Sequence, residues 1–246
     1  MHRPHSLSGS IRVAIFDVDG TLVTDDIHRD KHNFILGHIC HCPDLMLSPQ
    51  EWNHLSGLSD EDAYRHISDK AARQNRSLAS FLPKLTYLSI ARRYVNTHIG
   101  QLDIRRSVRD LILAAEALEL LLGVATNTDW TETHQKLSAT GLLKHFRFFS
   151  CLDGVMVPKP APDLYVHSIR AARRLLGSDL DPSHVIVFED TEVGATAAAS
   201  AGCRVVLWPS EKRKITFDEV FCDDERTAIA RTAEECIHYL HAVSSS

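Results

Sequence analysis

Ile11-Arg-Val-Ala-Ile-Phe-Asp17-Val-Asp-Gly-Thr21 opens a regular element and ends it within a few residues. Ile11 to Phe16 is short, β-branched and largely apolar, the composition of a buried strand. Asp17, Asp19 and Gly20 stop it and start a loop. Two carboxylates at i and i+2, just past a buried strand, can face one small site, and Gly20 allows a tight backbone turn beside them. Crowded carboxylates repel one another, and a divalent cation is the usual remedy.

Similar strand signals recur downstream. Leu120 to Ala125 ends at Thr126-Asn127, His184 to Phe188 ends at Glu189-Asp190, and Cys203 to Trp208 ends at Pro209. Helical patterns lie between them, over Ile104 to Leu118, Pro162 to Leu176 and Glu192 to Ala201. Pro162 and Gly177 form a start and stop pair for the second of these. Strands alternating with helices predict an α/β fold with a doubly wound, Rossmann-like parallel sheet. In such sheets a ligand sits at the carboxyl ends of the strands, where all these polar residues fall.

The stretch 25–101 breaks the rhythm. It contains no strand signal, and Ile27 to Ile39, Asp60 to Ala72 and Leu78 to His98 all predict helices. The expected organisation is a core domain built from 11–24 and 102–246, with a helical domain, 25–101, inserted between them. Val243 to Ser246 is expected to be a frayed tail.

The chain has 246 residues, 44% of them hydrophobic, enough for a full core, and a net charge of −5. That balance argues against nucleic acid as a partner. Six scattered cysteines suit free thiols in a reducing compartment. Met1 to Ser10 lacks the apolar region of a secretory signal, and no apolar run approaches membrane-spanning length. The expectation is a cytoplasmic protein without a membrane partner, a monomer or weak homodimer.

The other strand ends offer a matching chemistry. Glu189-Asp190 could supply hard oxygen ligands to Mg2+. Thr126-Asn127 offers a hydroxyl and an amide suited to a phosphoryl oxygen. Lys159, in the proline-stiffened Val157-Pro-Lys-Pro-Ala-Pro162, can neutralise phosphate as a point charge.

Asp17-Val-Asp-Gly-Thr-Leu-Val23, Thr126-Asn127, Lys159-Pro-Ala-Pro-Asp163 and Phe188-Glu-Asp-Thr-Glu-Val-Gly194 together resemble the motif set of the haloacid dehalogenase (HAD) superfamily. They occur in the family's order and span nearly the whole chain. The helical insert after the first motif resembles a type C1 cap, and the whole is similar to the β-phosphoglucomutase and sugar-phosphatase group. The resemblance implies Mg2+-dependent phosphoryl transfer on a small phosphorylated metabolite. Asp17 would attack phosphorus and form an aspartyl-phosphate. Asp19 would protonate the leaving oxygen and then activate water, and its backbone carbonyl would join Asp17 and Asp190 at the metal, with Glu189 in or beside the ligand shell. Thr126 and Lys159 would hold the phosphoryl group, with Asn127 next to them. The acid at i+2 favours phosphoryl transfer over dehalogenation. Thr126-Asn127 resembles the phosphatases more than the mutases, so hydrolysis of a sugar phosphate is expected, and a phosphomutase of the β-phosphoglucomutase type is the alternative.

Leu55-Ser-Gly-Leu-Ser-Asp-Glu-Asp62 resembles the cap loop that contacts substrate in sugar-phosphate relatives, which nominates Ser56, Gly57 and Ser59. Ser59 with Asp62 also predicts a helix N-cap. Several relatives carry a basic residue after that serine. Asp60 stands here instead, which argues against a second phosphate on the substrate. His28/His32 and His38/Cys42 have the i, i+4 spacing of helical zinc ligands, but no second ligand pair at standard spacing follows, so a solvated or packed helix is expected.

Overall fold

The computed structural model describes residues 10–24, 26–153, 156–210 and 226–244. The expectations for Met1 to Gly9, Cys222, Ser245 and Ser246 lie outside them. Six parallel strands form one sheet in the order β3-β2-β1-β4-β5-β6. They are β1 (Val13–Phe16), β2 (Leu121–Thr126), β3 (Phe148–Cys151), β4 (Val185–Glu189), β5 (Arg204–Leu207) and β6 (Thr227–Ile229). The central strands are fully buried because helices cover both faces of the sheet, which explains their continuous apolar runs.

The helices are α1 (Asp26–Phe34), α2 (Pro49–Leu55), α3 (Asp60–Ala72), α4 (Leu78–Phe81), α5 (Lys84–His98), α6 (Val108–Ala117), α7 (Trp130–Ala139), α8 (Asp163–Leu176), α9 (Glu192–Ser200) and α10 (Ala233–Ser244). One face of the sheet packs Phe16, Val124 and Phe188 against Leu111 and Ile112 of α6 and Cys236 and Leu240 of α10. The other packs Val13, Ile15 and Val187 against Leu164, Tyr165 and Ile169 of α8 and Ala195, Ala197 and Ala198 of α9. Alanines in α9 let it lie close to the strands. A third cluster joins Ile35, Leu36, Leu45, Tyr64, Ile67 and Tyr87 within the helical stretch after β1, so that stretch has a core of its own.

Several elements depart from the expected boundaries. Leu78 to His98 is two helices, because Pro83 cannot continue the first and instead caps α5. The pattern from Ile104 becomes helical only at Val108, after Ser107 adopts a left-handed backbone. Ile27 to Ile39 runs as α1 and then widens into a π-helical turn at Ile35–Ile39. Val243 and Ser244 belong to α10, which is anchored by buried Cys236 and Leu240, so the tail does not fray there. β3, β6, α2, α7 and α10 were not among the expected elements, although Ser48-Pro-Gln-Glu51 before α2 and Asp129-Trp-Thr-Glu132 at α7 are helix-start signals.

Register delivers the site. Phe16 of β1 lies abreast of Val124 in β2 and Phe188 in β4. The next residues are therefore neighbours across the sheet: Ala125, Asp17 and Glu189. Gly123 of β2 is where the ring of Phe148 crosses the strand, since a Cβ there would fall 2.1 Å from its ring carbons. Gly123→Ala is expected to destabilise the fold by about 1–3 kcal/mol through overpacking. Denaturant unfolding checks this, and a variant as stable as the parent would contradict the packing.

Candidate active site

Asp17 leaves β1 at its carboxyl end, and the 142-residue separation between it and Lys159 is closed by one ion pair. The buried Lys159 ammonium donates to Asp17 Oδ1 at 2.6 Å, to Glu189 Oε1 at 2.6 Å and to the Ala125 carbonyl at 2.8 Å. All three of its protons are committed. Burial opposes its charge, but Asp17 and Glu189 outweigh burial and hold its pKa above the usual lysine value. The hydroxyl of Tyr165 also donates to Glu189 Oε1. Glu189 thus stands behind Lys159 and fixes its direction.

The carboxylates of Asp17, Glu189 and Asp190 offer oxygens that lie within 4.8 Å of one another, and all three residues are buried. Burial holds the Asp17 carboxyl well above the usual range. Lys159 opposes this, and repulsion from Glu189 and Asp190 adds to it. Three carboxylates facing one ammonium leave an excess of negative charge. A hard, all-oxygen donor set of this kind fits a divalent cation such as Mg2+. Gly20 has φ +91°, and a Cβ on it would come within 2.1 Å of Asp190 Oδ2, so the loop reaches the acid only because the residue is glycine. Arg105 fixes that loop from behind. Its guanidinium donates to the Gly20 carbonyl at 2.8 Å and to the carbonyls of Trp208 and Pro209, and it stacks on the Trp208 ring.

Asp19 lines the same cavity as Asp17 but has its own partners. It accepts from Thr128 Oγ1 at 2.9 Å and from Lys136 Nζ at 2.7 and 2.9 Å, and His28 Nε2 lies 3.0 Å away. Burial alone would raise its pKa. His28 and Lys136 outweigh burial and hold the carboxyl well below the usual range.

A cavity of about 470 Å3 lies between these strand ends and the helical stretch. Its lining includes Asp17, Asp19, Thr126, Asn127, Ser56, Gly57 and Ser59, so the nominated cap residues face the same space as the strand-end residues. Thr126 is buried at the end of β2, and its Oγ1 accepts from the Thr128 amide at 3.2 Å. The side chain of Asn127 is a strut. Its amide donates to the Gly57 carbonyl at 2.8 Å, and its oxygen accepts from the Lys159 amide at 2.9 Å. The Ser59 hydroxyl donates to Asp62 at 2.6 Å in a capping box.

His28 and His32 do not converge on one point. The ring of His32 meets the Tyr87 hydroxyl at 2.7 Å, whereas His28 faces Asp19. Cys42 accepts a hydrogen bond from Arg76, and the two clusters with metal-ligand spacing among the described residues contain no cysteine. His28, Thr128, Glu132, Lys136 and Tyr165 were not legible as site residues. Their spacing from the motifs is fixed by helix packing; the sequence marked only the i, i+4 pair Glu132/Lys136 and the spacing of His28 from His32, which suggested a zinc ligand instead.

Gly20→Ala is expected to push Asp190 out of the cluster and weaken Mg2+ binding roughly 10- to 100-fold. Calorimetric titration with Mg2+ measures this, and unchanged affinity would contradict the close approach.

The comparisons agree with this architecture. The model of the haloacid dehalogenase-like hydrolase family matches residues 14–208. Protein CbbY of Rhodobacter capsulatus is 32% identical over 210 residues, covering 82% of this chain and 86% of the relative. A phosphorylated carbohydrates phosphatase of Thermotoga maritima is 33% identical over 95 residues, 39% of this chain and 41% of that one. The crystal structure of CbbY from Rhodobacter sphaeroides in complex with phosphate superposes with a TM-score of 0.72 at 23% identity, covering 92% of this chain and 96% of that one, a likeness of fold. The chain belongs to the haloacid dehalogenase-like hydrolase family.

Proposed function

We propose that this chain is a Mg2+-dependent phosphatase that hydrolyses a small phosphorylated metabolite, a sugar phosphate or similar polyol phosphate, through an aspartyl-phosphate on Asp17. The observation that carries the reading is the Lys159 ammonium, held 2.6 Å from both Asp17 and Glu189, directly behind the Asp17 carboxylate that lines the cavity floor. Phosphoryl transfer asks mainly for positioning and for neutralisation of charge, and this floor supplies both. The phosphatase among the relatives supports the same class.

Asp17 attacks phosphorus with a carboxylate oxygen. The new P–O bond forms as the bond to the leaving oxygen breaks, and the electron pair passes to that oxygen, which takes a proton from Asp19. Water then attacks phosphorus, its proton passes to Asp19, and the P–O bond to Asp17 breaks, releasing inorganic phosphate. A divalent cation held by Asp17 and Asp190, with the Asp19 carbonyl and Glu189 beside them, would offset repulsion between carboxylate and phosphate. Lys159 and Thr126 hold the phosphoryl group at the strand ends. Asn127 ties that floor to the cap at Gly57 and so helps to exclude water.

The body of the substrate meets Trp52, Leu55, Leu58, Leu85 and Leu88, with Ser56 and Ser89 among them. The lysine and the arginine of that lining are both paired: Lys31 lies 2.7 Å from Asp60, and Arg92 lies 2.5 Å from Asp129. This supports a substrate with one phosphate on a neutral, hydroxylated body.

A phosphate-release screen over sugar phosphates, nucleotides and glycolytic intermediates tests the reading. Release is expected with Mg2+ and is lost with a chelator, and Asp17→Asn is expected to lower it on the order of 10⁴-fold or more. No release from any compound would contradict the proposal, and transfer of the phosphoryl group to a sugar hydroxyl instead of water would favour a mutase.

The raised pKa of Asp17 gives a pH test. The nucleophile must be ionised, so kcat/KM is expected to rise with pH, with an acidic limb above the usual carboxylate range. A cation favours the ionised form, so the acidic limb is expected to move to lower pH as Mg2+ concentration increases. A limb that moves upward or stays fixed would contradict this coupling.

A further inference from the structure

Lys136 is fully buried, lies behind the cavity lining, and has no part in the steps above. Its surroundings are unusual for a packing residue. Ligand atoms of Asp19, His28 and Glu132 lie within 4.8 Å of one another, a spacing that suits a bound cation. The Lys136 ammonium occupies that place. It lies 2.7 and 2.9 Å from the two Asp19 oxygens, 2.6 Å from Glu132 Oε1 and 2.9 Å from His28 Nε2. This second acidic cluster therefore has its cation built into the chain.

Helix α7 makes the arrangement possible. Asp129 caps it by accepting from the Glu132 amide at 3.0 Å, and Glu132 and Lys136 then follow one turn apart on a single face. That face looks at the loop after β1. Thr128, just before the cap, donates to Asp19 Oδ2, so one short segment supplies two of the groups that fix the carboxylate. On the other side, Lys31 Nζ lies 2.9 Å from His28 Nδ1. His28 Nε2 lies 3.0 Å from Asp19 Oδ1, so the ring adds a third contact to that carboxylate. Asp19 is thereby held from three directions. A carboxylate with one lysine removed could turn about its Cα–Cβ and Cβ–Cγ bonds, and proton transfer depends on its distance from the attacking water.

We propose that Lys136, braced by Glu132, is a positioning residue that aims the Asp19 carboxylate at the water attacking phospho-Asp17. In that step the water oxygen bonds to phosphorus, the P–O bond to Asp17 breaks with its electron pair returning to Asp17, and the water proton passes to Asp19. The inference rests on the phosphatase reading and assigns one of its two steps to a specific support.

The test uses p-nitrophenyl phosphate, whose leaving group needs little protonation, so that the first step does not depend strongly on Asp19. The double variant Glu132→Gln/Lys136→Met removes the ammonium together with the charge of its buried partner Glu132, and leaves Asp19 its contacts with His28 and Thr128. With Mg2+ it is expected to release about one nitrophenolate per enzyme in a rapid first turnover. Its steady-state kcat is expected to fall roughly 10- to 100-fold, a fraction of what a general base contributes. Acid-quenched protein should carry more phosphate on Asp17 than the parent does. A purely structural role for Lys136 predicts lower stability with no burst and no gain in phospho-enzyme, and that result, or an unchanged kcat, overturns the proposal. If circular dichroism shows the double variant unfolded, Glu132→Gln alone decides, since it keeps the lysine and removes its brace. The same gain in phospho-enzyme is expected from it, and its absence overturns the proposal. If the parent releases no nitrophenolate, the phosphatase reading itself fails.

Discussion

The buried ammonium of Lys159 is shared by two carboxylates that enter from different strands. Asp17 follows β1 and Glu189 ends β4, and the lysine arrives on a loop beyond β3. Separating one member of such a buried pair from its partner costs roughly 3–5 kcal/mol, because a charge is left without compensation in the interior. The site is therefore part of what holds the strand ends together. It also constrains the sheet. A slip of one residue between β1 and β4 would turn every side chain of one strand to the opposite face. The ion pair and the apolar faces of the strands demand the same register, and stacking of Phe16 on Phe188 reinforces it.

The two acids of the first loop serve different surroundings although one residue separates them. Asp17 sits among carboxylates with one lysine opposing them, and its pKa is raised. Asp19 sits between His28 and Lys136, and its pKa is lowered. Gly20, held by Arg105 through its carbonyl, turns the backbone directly after both acids, at φ +91° and close against Asp190. Both shifts run opposite to the assigned roles, so a cation beside Asp17 and the negative charge of a bound phosphoryl group near Asp19 are needed to bring the nucleophile to its ionised form and the acid to its protonated one.

The doubly wound sheet was legible because β1, β2, β4 and β5 are continuous apolar runs, each stopped by polar or proline residues. Residues at strand ends were legible for the same reason: Asp17, Thr126, Glu189 and Asp190 announce themselves by position, and Lys159 by its proline-stiffened loop. What stayed hidden came from packing at a distance. Tyr165 is one of many apolar-face residues of α8, and only the geometry brings its hydroxyl to Glu189. Lys136 has the composition of a solvated helix surface, and it is buried because α7 lies against the loop after β1. His28 carried a spacing that suggested a zinc ligand, yet its neighbours on the other side are an acid and two lysines. Pro83 was a visible breaker inside a long helical pattern, and the break follows from its missing amide hydrogen.

Convergence of three distant segments on one phosphoryl group is the central claim, and a crystal structure with Mg2+ and trifluoroberyllate, a mimic of a phosphorylated carboxylate, measures it directly. The account predicts beryllium bonded to the Asp17 carboxylate, Mg2+ held by Asp17 and Asp190, and the Lys159 ammonium and Thr126 hydroxyl in contact with the fluorides. A fluoride bound away from Asp17, or Lys159 and Asp190 both beyond contact with it, would contradict the account.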